Sequence, residues 1–147
     1  MRKRNILFIC KHNLFRSKVA ETYFNEINKD KTIKAKSAGI IKGNLLNKDH
    51  KNAFNLEKAI AKRFKINIKN KITGSSISLL KKQDLIILVA DDVPKILFNN
   101  REYIRKVISW RIKDYDFSEE ENISQIIMQI MKKVNKLNKQ LEMEKLK

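Results

Sequence analysis

One stretch near the start of the chain limits the choice of fold more than any other. It runs Ile6-Leu7-Phe8-Ile9-Cys10, then Lys11-His12-Asn13-Leu14-Phe15, then Arg16-Ser17 and a helical pattern from Lys18 onward. Four consecutive apolar residues leading into the only cysteine read as a strand buried on both faces, which is the habit of parallel sheets. Cys10 then stands at the carboxyl edge of that sheet, where open α/β sheets gather their sites. The helix that follows turns its free N–H groups and positive dipole end back toward the turn. A loop of this size wraps an oxyanion with backbone N–H groups. Arg16 adds a planar fork that holds two oxygens at once. The same positive surroundings favour the thiolate form of Cys10. An oxyanion held against a thiolate is an arrangement for covalent catalysis. A lone cysteine is more often an inert core residue. Here the strand, the Cys-x5-Arg-Ser spacing and the following helix agree on the reactive reading.

These residues carry a family likeness. Cys10 to Glu21 resembles the active-site loop of the low-molecular-weight protein tyrosine phosphatases and of the related thioredoxin-coupled arsenate reductases. Lys11-His12-Asn13 resembles the reductase branch and its archaeal phosphatase-like relatives. The phosphatase branch usually carries glycine where His12 stands and a second cysteine where Phe15 stands. Ser37-Ala38-Gly39 resembles the family's triplet after the second strand, Asp84 to Asp91 its third strand, and Trp110 to Asp114 its late aspartate loop. The resemblance implies one phosphatase-like domain over residues 1–147. It also implies a cysteine-dependent phosphatase, acting on phosphotyrosine or small aryl phosphates through a thiophosphate intermediate, without metal or cofactor.

Residue roles follow from the loop and the likeness together. Cys10 attacks phosphorus. Arg16 and the loop formed by Lys11, His12, Asn13, Leu14 and Phe15 bind the phosphoryl oxygens. Ser17 donates to the sulfur and caps the first helix, roles that can hold together. The likeness ties Asn13 to Ser37 by side-chain hydrogen bonds, and makes Asp114 the proton donor, with Asp116 as competitor and Tyr115 where the family has proline. Trp110 reads either as an aromatic wall for a phenyl ring or as core packing. His12 reads either as a substrate contact or as a plainly exposed residue. His50 reads as an ordinary surface residue.

Composition sets bounds. A chain of 147 residues with 42% hydrophobic residues suits one globular domain. Thirty-three basic against sixteen acidic residues give a net charge of +17, which calls for an anionic substrate, surface or partner. Nucleic acid fits the charge, but the lysines are spread along the chain rather than clustered with aromatics, so solvated basic faces are the favoured reading. A single cysteine forbids an internal disulfide and fits a reducing, cytoplasmic setting. Met1-Arg2-Lys3-Arg4 has the charge of a signal-peptide start, but the apolar run behind it is too short. No run of about 18 apolar residues spans a membrane.

Along the chain, strand and helix alternate. Strands are predicted over Asn5–Cys10, Lys31–Ser37, Asp84–Ala90 and Lys106–Trp110. Helices are predicted from Ser17 to about Asn28, from an Asp49 cap to about Phe64, over a short turn opened by Ser75–Ser78, and from Asp91-Asp92 with Pro94 in its first turn. A long final helix starts from the capping box of Ser118 and Glu121, with a charged tail expected to fray from Asn138. The pattern predicts an α/β domain of three layers: a four-stranded parallel sheet with helices on both faces. Three functions are compatible with it: a phosphatase, an arsenate reductase borrowing an external thiol, or an anion- or nucleic-acid-binding module on the same fold.

Overall fold

The computed structural model describes residues 3–41, 47–113 and 120–145. Strands β1 (Arg4–Cys10), β2 (Ile33–Gly39), β3 (Leu85–Ala90) and β4 (Val107–Ile112) form one parallel sheet in the order β2-β1-β3-β4. The expected three-layer α/β architecture is the one observed. β1 is flanked on both sides, and its last five residues are all buried. Alternation sends Ile6 and Phe8 to one face and Leu7 and Ile9 to the other.

The first face is covered by α1 (Arg16–Ile27), α2 (Lys48–Arg63) and α4 (Glu120–Lys145). Val19 and Phe24, Phe54 and Ile60, and Ile123, Ile127 and Ile130 enter one cluster there. The second face is covered by Leu80 of α3 (Ile77–Lys81) and by Val93, Phe98 and Tyr103 after β3. A fully buried aliphatic or aromatic side chain contributes roughly 1.5–3 kcal/mol, so β1 and β3 are the anchors that hold the carboxyl edge in place.

Several expected boundaries move, each for a local reason. Asn47, not Asp49, caps α2: its side chain accepts from the N–H groups of Asp49 and His50. The helix expected at Asp91-Asp92 is a turn followed by short 3-10 segments at Lys95–Phe98 and Ile104–Lys106, with Pro94 extended just before the first. β2 and β4 each run two residues further than the pattern suggested, and this carries Gly39 and Ile112 to the site. α4 does not fray at Asn138. Leu141 is still buried, and Glu144 pairs with Arg4 at 3.3 Å. The proposed cap at Ser118 lies outside the described residues.

Candidate active site

Cys10 ends β1, buried, with its Sγ 2.9 Å from Ser17 Oγ. The direction of that bond is fixed by a relay. The backbone N–H of Thr73 donates to Asn13 Oδ1 at 2.9 Å, so the other end of the amide, Nδ2, must face Ser17. Asn13 Nδ2 donates to Ser17 Oγ at 2.8 Å. With its oxygen accepting there, Ser17 has its hydroxyl proton left for the sulfur. A hydroxyl donor at a sulfur stabilises the thiolate over the thiol. Asn13 itself has φ 56°, a left-handed conformation asparagine tolerates better than most residues.

α1 begins at Arg16, one residue earlier than expected, with Phe15 at the cap position and no side-chain cap bond. Ser17 is therefore inside the helix and does not cap it. The first turn of the helix is directed at the loop instead.

Arg16 is 6% exposed. Its Nη2 donates to both carboxylate oxygens of Asp92 at 3.2 Å, and its Nη1 donates to the Ile112 carbonyl at 3.2 Å and lies 3.5 Å from Asp91 Oδ1. Two carboxylates and a carbonyl thus orient the fork from the ends of β3 and β4. In the sequence Asp91 sits just past a strand's carboxyl end and opens an expected helix with Asp92, but neither residue is expected to orient Arg16. Their position just past a strand end is the signal that could have found them.

The loop leans on the edge of β2. Ile40 N–H donates to the Cys10 carbonyl at 3.1 Å and Ile41 N–H to that of Lys11 at 3.0 Å. A Cβ on Gly39 would lie 2.7 Å from the carbonyl carbon of His12 and 2.8 Å from the nitrogen of Asn13. Only glycine permits this approach. Ser37 does not reach Asn13 as expected. In the sheet register it stands opposite Phe8, two residues behind the edge, and its hydroxyl donates to Glu21 at 2.6 Å. Thr73 holds the Asn13 amide instead, through its backbone N–H.

Above this floor a cleft of about 270 Å³ is lined by Cys10, Lys11, His12, Leu14, Phe15 and Arg16, by Asp92, and by His50, Ala53 and Glu57 of α2. The His12 and His50 rings meet with centroids 5.5 Å apart, and His50 Nδ1 is buried without a hydrogen-bond partner among the described residues. His50 is thus a wall of the cleft, a correction to the surface reading. Burial holds the His12 pKa below its ordinary value, helped by the Lys11, His50 and Arg16 charges and opposed by Asp92. Trp110 packs on Phe8 at 5.6 Å between ring centroids, so its core reading holds. Asp114, Tyr115 and Asp116 lie outside the described residues; the contact of Arg16 with Ile112 brings the end of β4 to the site. Among the described residues no group of three His, Cys, Asp or Glu side chains is placed to hold a metal ion, and no helix is long and apolar enough to cross a membrane.

No curated protein matches the chain in sequence. Solved structures do match its fold. A YwlE arginine phosphatase from Geobacillus stearothermophilus superimposes with a TM-score of 0.77 at 16% identity, over 97% of this chain and 96% of that one. A protein tyrosine phosphatase from Entamoeba histolytica gives a TM-score of 0.80 at 16% identity, over 97% and 99%. An arsenate reductase from Archaeoglobus fulgidus gives 0.65 at 26% identity, over 90% and 98%. The family model of low molecular weight phosphotyrosine protein phosphatases matches residues 5–147, from the first strand that carries Cys10 through the last helix. By that match the chain belongs to the low molecular weight phosphotyrosine protein phosphatase family.

Proposed function

We propose that this family member hydrolyses phosphotyrosine in proteins, or small aryl phosphate esters, as one domain over residues 1–147 in a cytoplasmic setting. The observation that carries the reading is the directed relay from Thr73 through Asn13 and Ser17 to the Cys10 sulfur. It delivers a hydroxyl donor to one sulfur at the mouth of an anion-sized loop. The Cys10 thiolate attacks phosphorus, an S–P bond forms, and the bond to the leaving oxygen breaks. Arg16 and the N–H groups of the Lys11–Phe15 loop hold the equatorial oxygens. Asp114 protonates the leaving phenolate. It then takes a proton from water, which attacks phosphorus and returns the thiolate to the Ser17 hydroxyl. Leu14, Ala53 and the paired imidazoles give the cleft apolar and aromatic walls suited to an aryl ring.

The similarity to an arsenate reductase keeps arsenate in view as an oxyanion ligand. Turnover of arsenate needs a thiol to resolve the oxidised sulfur. The chain has a single cysteine, so that thiol must be external, and this favours the phosphatase reading. Nucleic acid is a weaker candidate partner, resting on net charge alone.

The test is a leaving-group series in the presence of a chelator. The parental protein is expected to release phosphate from both para-nitrophenyl phosphate and phenyl phosphate. Asp114→Ala is expected to lose roughly 10²–10⁴-fold on phenyl phosphate and clearly less on the nitro ester, whose leaving group needs no proton. A larger selective loss in Asp116→Ala would transfer the acid role to Asp116. No phosphate release by the parental protein would sink the reading.

A further inference from the structure

We propose that Lys18 is a positioning residue for the nucleophile, its buried ammonium clamping the segment 69–73 so that the Thr73 N–H keeps Asn13, and through it Ser17, aligned on the Cys10 sulfur.

Lys18 follows Ser17 directly, yet it is 3% exposed. Its Nζ donates to the carbonyl oxygen of Lys69 at 2.7 Å and to that of Lys71. Residues 66–73 form neither helix nor strand. Ile66 and Ile68 anchor the start of the segment in the core, and residues 69–73 beyond them are held by single bonds: Thr73 carbonyl to Gly39 N–H, Thr73 N–H to Asn13 Oδ1, Lys58 Nζ to Asn70, and the two from Lys18. Of the side chains that bond residues 69–71, Lys18 alone is buried.

Burying an ammonium is costly unless its protons find acceptors. The burial lowers the Lys18 pKa, against the opposing pull of Glu21 and Cys10. An apolar side chain would pack this helix face without that cost. The ammonium instead ties two ends of one device: α1, which carries Ser17, and the segment whose next N–H sets the Asn13 amide. Loosening 69–73 frees the amide to rotate, and Ser17 then loses the acceptor role that points its proton at sulfur. Lys18 touches neither the sulfur nor the phosphoryl group.

The consequence for turnover rests on the phosphatase reading, so the primary readout does not use turnover. Cys10 is the only cysteine, and its rate of alkylation by iodoacetamide at fixed mildly acidic pH reports the thiolate fraction. Lys18→Met is expected to alkylate about tenfold more slowly than the parental protein. In Lys18→Ala, methylammonium is expected to restore the rate by occupying the space beside the two carbonyls, and to do nothing for Lys18→Met. Lys58→Met, which cuts the exposed tie to the same segment, is expected to keep the parental rate. In a cycle with Asn13→Ala, the two losses should be less than additive, because both act through one relay. A parental rate in Lys18→Met, additive losses, or an equal loss in Lys58→Met overturns the proposal. If Lys18→Met does not fold, Lys18→Arg decides: a rate within a few-fold of parental supports the clamp, and a loss as large as that of Asn13→Ala contradicts it. A parental protein without phosphatase activity, combined with slowed alkylation in Lys18→Met, would end the phosphatase reading and leave the clamp standing.

Discussion

Two parts of the cleft, its floor and its rim, are put together differently. In the floor, Cys10, Asn13, Arg16 and Ser17 are each 6% exposed or less. The Asn13 amide, the Ser17 hydroxyl and the Arg16 fork all have named partners within 3.5 Å. At the rim, the His12 and His50 rings are tilted by 42° with centroids 5.5 Å apart, Lys11 is exposed, and burial together with the Lys11, His50 and Arg16 charges disfavours protonation of His12 against the pull of Asp92. The floor fixes one geometry, because each polar group there is oriented by the next and a buried unmatched group is expensive. The rim is only partly buried, so its side chains can change at little structural cost. Under the proposed function, reaction chemistry falls to the first region and substrate preference to the second.

The sharpest way to break that division is Arg16→Lys. A point charge cannot replace a fork held by Asp92 on one side and Ile112 on the other. The expected loss in kcat/KM is roughly 10²–10³-fold, the scale of a lost transition-state donor. A loss under tenfold would mean the floor is not as specified as its bonds imply.

Gly39→Ala presses on the floor from behind. The added methyl meets backbone atoms of His12 and Asn13, which cannot swing aside as a side chain can. The expected destabilisation is about 1–3 kcal/mol by denaturant midpoint, with a rate loss beyond what the unfolded fraction explains.

The smallest effect belongs to the rim. His50→Ala removes both cover and a like charge from His12, so the His12 midpoint, followed by NMR, should rise toward 6.5, while turnover changes by less than about tenfold. Because the folded-state pKa of His12 lies below its unfolded value, His12 lowers stability as pH falls through 6.5. His12→Asn should flatten that decline. A large rate loss in His50→Ala would move His50 from the rim to the floor.

Much of this was legible in the sequence. The apolar run into Cys10, the Arg16-Ser17 pair and the alternation of strand and helix specify the sheet edge and the loop, since they rest on local periodicity and spacing. What escaped was set by distant chain meeting at that edge. Thr73, rather than Ser37, fixes Asn13, because the register leaves Ser37 two residues short. Asp92 joins the cleft from just past β3, where only its place after a strand end hints at a role, and His50 joins from α2 with no such local signal. Nothing local in the sequence distinguishes Lys18 from the other lysines, and only tertiary burial separates it from the rest.

In the proposed mechanism Cys10 forms a covalent bond to phosphorus during turnover. Rapid acid quench of the parental protein during hydrolysis of para-nitrophenyl phosphate, followed by peptide mass analysis, tests it directly. A phosphoryl group is expected on the peptide carrying Cys10, absent in Cys10→Ala, which also releases no phosphate while keeping its fold. A phosphoryl group on another residue, or sustained phosphate release by Cys10→Ala, would contradict it.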